Sequence, residues 1–152
     1  MKKFRVKKIL VPTDFSDISV QAFPYAENLA IDYGAEIHLV HVLEKNPPAM
    51  IIRSIDLTTE KALEKIESDA QEALLELKNK FSNNVYVKCV FLKGNDFEEI
   101  VNYSNENDID LIVIATHGRT GLLHTLLGSV AEKVIRFARC PVLVITPKKD
   151  EN

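Results

Sequence analysis

The sequence predicts an α/β protein built on an open, doubly wound, parallel five-stranded sheet with helices on both faces. Two observations carry this. Short runs rich in Ile, Leu and Val are apolar at successive positions instead of alternating, the pattern of strands covered on both sides. Segments of helical period separate them, giving the order βαβαβαβαβ, which right-handed crossovers restrict to few topologies. The 152 residues suit one domain (1–152), since a chain this long hides roughly 68–70% of its unfolded surface.

The elements follow in order. Ile9-Leu10-Val11 forms the first strand. A helix over 16 to 33 has Ser16 as N-cap, Asp17 in its first turn and Ala22, Ala26, Leu29 and Ala30 on one side. Gly34 ends it, and Pro24 should kink it by removing one hydrogen bond. Ile37 to Leu43 is the second strand, and residues 44 to 57 form the only long irregular connection. A surface helix over roughly 58 to 82 sets Leu63, Ile66, Ala70, Leu74, Leu77 and Phe81 in one stripe against a charged face. Val85 to Leu92 is more mixed and reads as an edge strand. A helix from about Asp96 to Asn107 turns Phe97, Ile100, Val101 and Ser104 inward. Leu111 to Ala115 is the fourth strand, and the helix after Gly128 carries Val130, Val134, Ile135 and Ala138. Val142 to Ile145 closes the sheet, and residues 148–152 read as a solvated tail.

Composition excludes several classes. Hydrophobic residues make up 46% and charged residues 27%, so disorder and disulfide scaffolds fit poorly. A net charge of -3 gives no general attraction to nucleic acid or an anionic membrane. No run of about 18 apolar residues exists to span a bilayer. The basic start is followed by an apolar run that stops at Pro12, too short for a signal peptide. Cys89 and Cys140 have no partner at metal-site spacing and read as reduced thiols. The expectation is a soluble, cytoplasmic protein.

In such sheets ligands bind beyond the carboxyl ends of the strands, where the strand order reverses. Three segments lie at such ends: Pro12-Thr13-Asp14-Phe15-Ser16, His41-Val42, and the stretch from Ala115 to Val130. The last holds three of the 5 glycines, Gly118, Gly121 and Gly128, with Ser129 opening a helix. Free N–H groups and the dipole of a helix start favour a phosphate, and Arg119 and His117 add donors. A plain strand-to-helix turn uses the same residue types. Likewise Asp14 suits a ligand's hydroxyl or amino groups, or a cap for the helix that follows.

From Ile9 to Ser16 and on through Pro141 to Ile145, the chain resembles the universal stress protein family in its ATP-binding branch. That branch is marked by a glycine, two residues, a glycine, nine residues, and a glycine followed by serine or threonine. Gly118 stands at the second glycine, Arg119 to Leu127 fill the gap, and Gly128-Ser129 is the closing pair. The first glycine is replaced by Ala115, whose methyl stands where the backbone should pass close to the nucleotide. The resemblance implies a cytoplasmic, dimeric stress protein. It is expected to bind ATP or a related adenine nucleotide, ADP or AMP, with Mg carried on the phosphates. The site it implies comprises Pro12, Thr13, Asp14, Val42, Ala115, His117, Gly118, Arg119, Gly128, Ser129 and Val130. The resemblance assigns Asp14 to the nucleoside, the Val42 backbone to the adenine edge, and Gly118, Gly128, Ser129 and the Val130 amide to the phosphates. Nucleotide is expected to order the 116 to 128 loop and so alter a surface seen by a regulatory protein partner.

Rival readings follow from the same residues. A phosphoryl-transfer enzyme would need a glycine loop ending in Lys-Ser or Lys-Thr, and here Val130 follows Gly128-Ser129. At most slow ATP hydrolysis is expected. A phospho-receiver needs an acidic pair and a late lysine, and an FMN carrier needs a glycine loop after the first strand. Neither is found. His38 and His41 point to opposite faces of one strand, so packed or hydrogen-bonded histidines are expected instead of a metal site. The family's other branch keeps the fold without nucleotide and acts as an interaction module, which Ala115 favours and Gly118, Gly128 and Ser129 oppose. Finally, the short apolar edge strand 142–146 is expected to pair with a second copy.

Overall fold

The structure, a computed structural model, describes residues 3–45, 58–116 and 127–147. Expectations about the 46 to 57 part of the long connection, the loop containing His117, Gly118 and Arg119, and the 148–152 tail lie outside these residues. Numbered in chain order over the described residues, the elements are β1 (Lys8–Pro12), α1 (Asp17–Val20), α2 (Phe23–Tyr33), β2 (Glu36–Leu43) and α3 (Thr59–Lys78). They continue as β3 (Val87–Lys93), α4 (Asp96–Glu106), β4 (Leu111–Ala115), α5 (Ser129–Phe137) and β5 (Val142–Ile145). The five strands form one parallel sheet in the order β3-β2-β1-β4-β5. The order reverses between β1 and β4, which places a crevice at their carboxyl ends.

Successive residues of the inner strands feed two cores. Ile9, Val11, Ile37, Leu39 and Val113 pack with α2 and α3 residues such as Ala26 and Leu74. Leu10, Val40, Ile112 and Ile114 pack on the other face with Ile100 and Val134 from α4 and α5. Apolar residues at every position of β4 are buried for this reason, as the doubly covered sheet requires.

Four details depart from the sequence expectation. The 16 to 33 helix is two helices: α1 stops at Val20 and α2 begins at Phe23, with Pro24 in its first turn. A proline there sacrifices no hydrogen bond, because first-turn N–H groups have no helical acceptor, so the chain restarts instead of kinking. Gly34 takes the left-handed conformation (φ 65) that closes α2, as expected. Along α3 the inward positions include Ala62 while Leu63 is exposed, and Phe81 lies past the helix end, stacked on Phe23 with ring centroids 4.7 Å apart. In α5, Ala131 and Val134 are buried and Ile135 is exposed, because steps of three follow the packed face. The β3 strand runs Val87–Lys93 at a sheet edge, slightly later than the expected 85 to 92.

Candidate functional site

At the end of β1 the chain is tied into a set of hydrogen bonds. The Thr13 N–H donates to the Val40 carbonyl (2.9 Å), prolonging the β1–β2 ladder by one residue. The Ser19 hydroxyl donates to the Ser16 carbonyl (2.8 Å), so the 2.8 Å contact between the Thr13 and Ser19 hydroxyls has Thr13 as donor. Thr13 Oγ1 in turn accepts from the Phe15 N–H (3.1 Å). Asp14 Oδ1 accepts from the Ser16 N–H (3.0 Å) and the Ser16 hydroxyl. Ser16 Oγ then accepts from the Ser19 N–H (3.1 Å), capping α1. Asp14 is therefore not the cap itself; it orients the serine that is.

Phe15 sits between these bonds at φ 68, a left-handed conformation rare for a bulky side chain and costing on the order of 1–3 kcal/mol. Its ring stacks on buried His41 (centroids 4.0 Å apart), whose Nδ1 lies 2.8 Å from the Thr13 carbonyl oxygen. His38, on the opposite face, is held by Glu36 at Nε2 (2.7 Å) and the Tyr103 hydroxyl at Nδ1 (2.8 Å). Burial, with Glu36 nearby, pushes the Tyr103 hydroxyl above its ordinary pKa. Both strand histidines are thus packed and hydrogen-bonded, as the sequence suggested, and among the described residues no metal-binding cluster forms. Burial also pushes the thiols of half-buried Cys89 and Cys140 up.

The opposite wall is the start of α5. Gly128 is its N-cap, at φ -69 and ψ 154, with no side-chain cap. This conformation is open to any residue, so the left-handed freedom of glycine is not what position 128 uses. The Gly128 N–H donates to the Thr116 carbonyl, and the Glu132 N–H donates to Gly128 (2.9 Å). The amides of Ser129, Val130 and Ala131 fall between, without a helical acceptor.

These walls enclose a cavity of 670 Å³, within the usual range for small-molecule sites. Of the sequence-predicted residues, Pro12, Thr13, Asp14, Val42, Ala115, Gly128, Ser129 and Val130 all line it. Ala115 is the last residue of β4 and is buried. Sequence reasoning missed the wall supplied by α3, where Ile66, Asp69, Ala70 and Ala73 face the cavity, and also Phe15, Ser19 and Asp96. Small alanines give little hydropathy signal, although the Ala70 and Ala73 spacing marks a face. Four carboxylates, Asp14, Glu44, Asp69 and Asp96, line the cavity, and no Lys or Arg does among the described residues.

Comparison with known proteins agrees in family and fold. The model of the universal stress protein family matches residues 5–146. Universal stress protein MJ0531 of Methanocaldococcus jannaschii is 38% identical over 146 residues, spanning 95% of this chain and 85% of that protein. Universal stress protein MJ0577 of the same organism is 32% identical over 159 residues, spanning 93% of this chain and 96% of its own length. The solved structure of MJ0577 matches with a TM-score of 0.80, covering 95% of this chain and 98% of that one. A universal stress protein solved in complex with cAMP shares the fold, with a TM-score of 0.69 at 20% identity over 93% of this chain and 98% of that one. With a family match over nearly the whole chain and the same five-stranded architecture, the chain belongs to the universal stress protein family.

Proposed function

We propose that the cavity holds ATP or a related adenine nucleotide and that the protein acts as a nucleotide-responsive stress module. The observation that carries this reading is the pairing of walls at the point of strand reversal. One presents the Asp14 carboxylate, and the other presents the uncapped amides of Ser129, Val130 and Ala131. A carboxylate suits ribose hydroxyls, and a helix start suits a phosphate. The Val42 backbone, on the cavity wall, suits the adenine edge. Support for adenine comes from the cAMP held by a family member of the same fold. In this reading Gly118, with Arg119 and His117, completes the phosphate end.

The carboxylates of the cavity sharpen one point. The described walls carry no Lys or Arg, so there a polyphosphate meets neutral amides and a helix dipole of about half a charge, and Arg119 is the one cation the reading adds. Mg²⁺ riding on the phosphates supplies further positive charge. We expect ATP affinity to fall at least tenfold when EDTA removes Mg²⁺, measured by titration calorimetry, and AMP affinity to change little.

Denaturing the purified protein and analysing the supernatant tests the reading. ATP, ADP or AMP near one per chain supports it. No released nucleotide, together with flat calorimetry up to millimolar ATP-Mg, favours the interaction module instead. One observation favours that second reading: the Ala115 methyl stands on the cavity wall where the ATP-binding motif has glycine. No turnover machinery is assigned, so hydrolysis is expected to be slow at most. A steady phosphate release abolished by Asp14→Ala would reverse that.

The reading places the protein in the cytoplasm; among the described residues no helix is long and apolar enough to cross a membrane. It also pairs β5, an edge strand with Leu143 exposed, with a second copy of the chain. Val144 packs into a core, so Leu143→Lys is the cleaner disruption and should yield monomers by gel filtration with light scattering. An unchanged elution volume would count against this interface. A regulatory protein that reads the loaded cavity completes the proposal.

A further inference from the structure

His41 is buried, lies on the cavity wall and touches both neighbours of Asp14. A carbonyl oxygen only accepts, so the 2.8 Å contact with Thr13 fixes the proton on Nδ1 and makes the ring the donor. On the other side the same ring stacks on Phe15, 4.0 Å between centroids and 26° from parallel. Phe91 backs the ring from 6.1 Å, tilted 34°. Phe15 is at φ 68, a conformation that persists only where surrounding contacts over-determine it. One side chain thus grips the residue before Asp14 by its carbonyl and the residue after it by its ring.

We propose that His41 is a positioning residue of the cavity. Its Nδ1–H holds the 13–15 turn, with the ring only packed against Phe15, so that the Asp14 carboxylate keeps a single aim, set further by Ser16. The proposal rests on the reading that Asp14 meets the nucleotide, and it adds that His41, with no contact to the ligand required, sets how well Asp14 does so.

Three variants separate the ring from the donor. His41→Phe keeps the stack and removes the Nδ1–H. His41→Asn keeps a donor at nearly the same place and removes the ring. His41→Gln carries its donor one bond further out. The first readout needs no nucleotide: amide hydrogen exchange at Phe15 and Ser16, whose N–H groups are bonded inside the turn. In His41→Phe these two amides should exchange about tenfold faster, the scale of one lost hydrogen bond, while the β1 and β2 amides stay within about twofold. The Asn variant should recover most of that protection and Gln should not. The second readout is ATP-Mg affinity by calorimetry, expected to fall about tenfold in Phe and to recover in Asn.

Unchanged exchange at Phe15 and Ser16 in His41→Phe overturns the proposal. So does acceleration spread through the whole sheet, or failure of Asn to restore protection, since either result marks His41 as ordinary core packing. If exchange responds as expected but the wild-type protein takes no nucleotide, the positioning stands and the nucleotide reading falls.

Discussion

Two helices start at the carboxyl edge of the sheet from almost the same backbone. Ser16 precedes α1 at φ -68 and ψ 151, and Gly128 precedes α5 at φ -69 and ψ 154. The first position carries a hydroxyl that caps the Ser19 amide; the second carries no side chain at all. α1 therefore uses the Ser19 amide for its own cap, which is in turn fixed by Asp14. In α5 the amides of Ser129, Val130 and Ala131 have no helical acceptor. Equal geometry with opposite capping separates a helix start whose cap is a side chain from one with none, and the proposed phosphate end rests on that missing side chain.

Substitutions that break or sharpen this contrast have graded effects. The largest is expected for Asp14→Ala, which removes the carboxylate from the ligand and frees Ser16. ATP affinity should drop about a hundredfold by calorimetry, on the scale of charged hydrogen bonds worth roughly 1.5–3 kcal/mol. Asp14→Asn keeps an acceptor for Ser16 and should lose less. Next comes Ser129→Pro. Proline is tolerated at the first helical position, and the extended backbone of Gly128 suits a residue before proline. It deletes one amide donor, so affinity should fall about tenfold while urea melts shift by less than about 0.5 kcal/mol. Ser16→Ala should cost about 1 kcal/mol in urea melts, the usual value of an N-cap. Gly128→Ser, which copies the α1 cap into α5, should raise stability by a few tenths of a kcal/mol and weaken ATP several-fold. The smallest contrast lies away from the edge. With both thiols pushed up, less thiolate exists at neutral pH, so native-state reaction of Cys89 and Cys140 with a disulfide reagent should be much slower than after unfolding.

The fold was largely legible in the sequence because burial on both faces removes alternation from β1, β2 and β4, a signal few other arrangements produce. The break at Gln21–Ala22 was not, since a proline marks a helix interruption without saying on which side the new helix begins. Leu63 and Ile135 were misassigned for a related reason: hydropathy ranks large side chains first, and the packed faces run through Ala62 and Ala131. In the cavity, Pro12, Thr13, Asp14, Val42, Ala115 and the 128–130 turn were readable from strand ends and glycine spacing. The role of His41 was not. It depends on the distance between two strands' residues and on the positive φ of Phe15, and neither leaves a trace in composition or period.

In the proposed site, α5's uncapped start receives the phosphate of a nucleotide whose nucleoside meets Asp14. Calorimetric titration of ATP-Mg into wild-type protein and Ser129→Pro tests it most directly. One site per chain is expected in the wild type and about a tenfold weaker one in the variant at unchanged fold. A flat wild-type titration, or identical affinity in the two proteins, would contradict it.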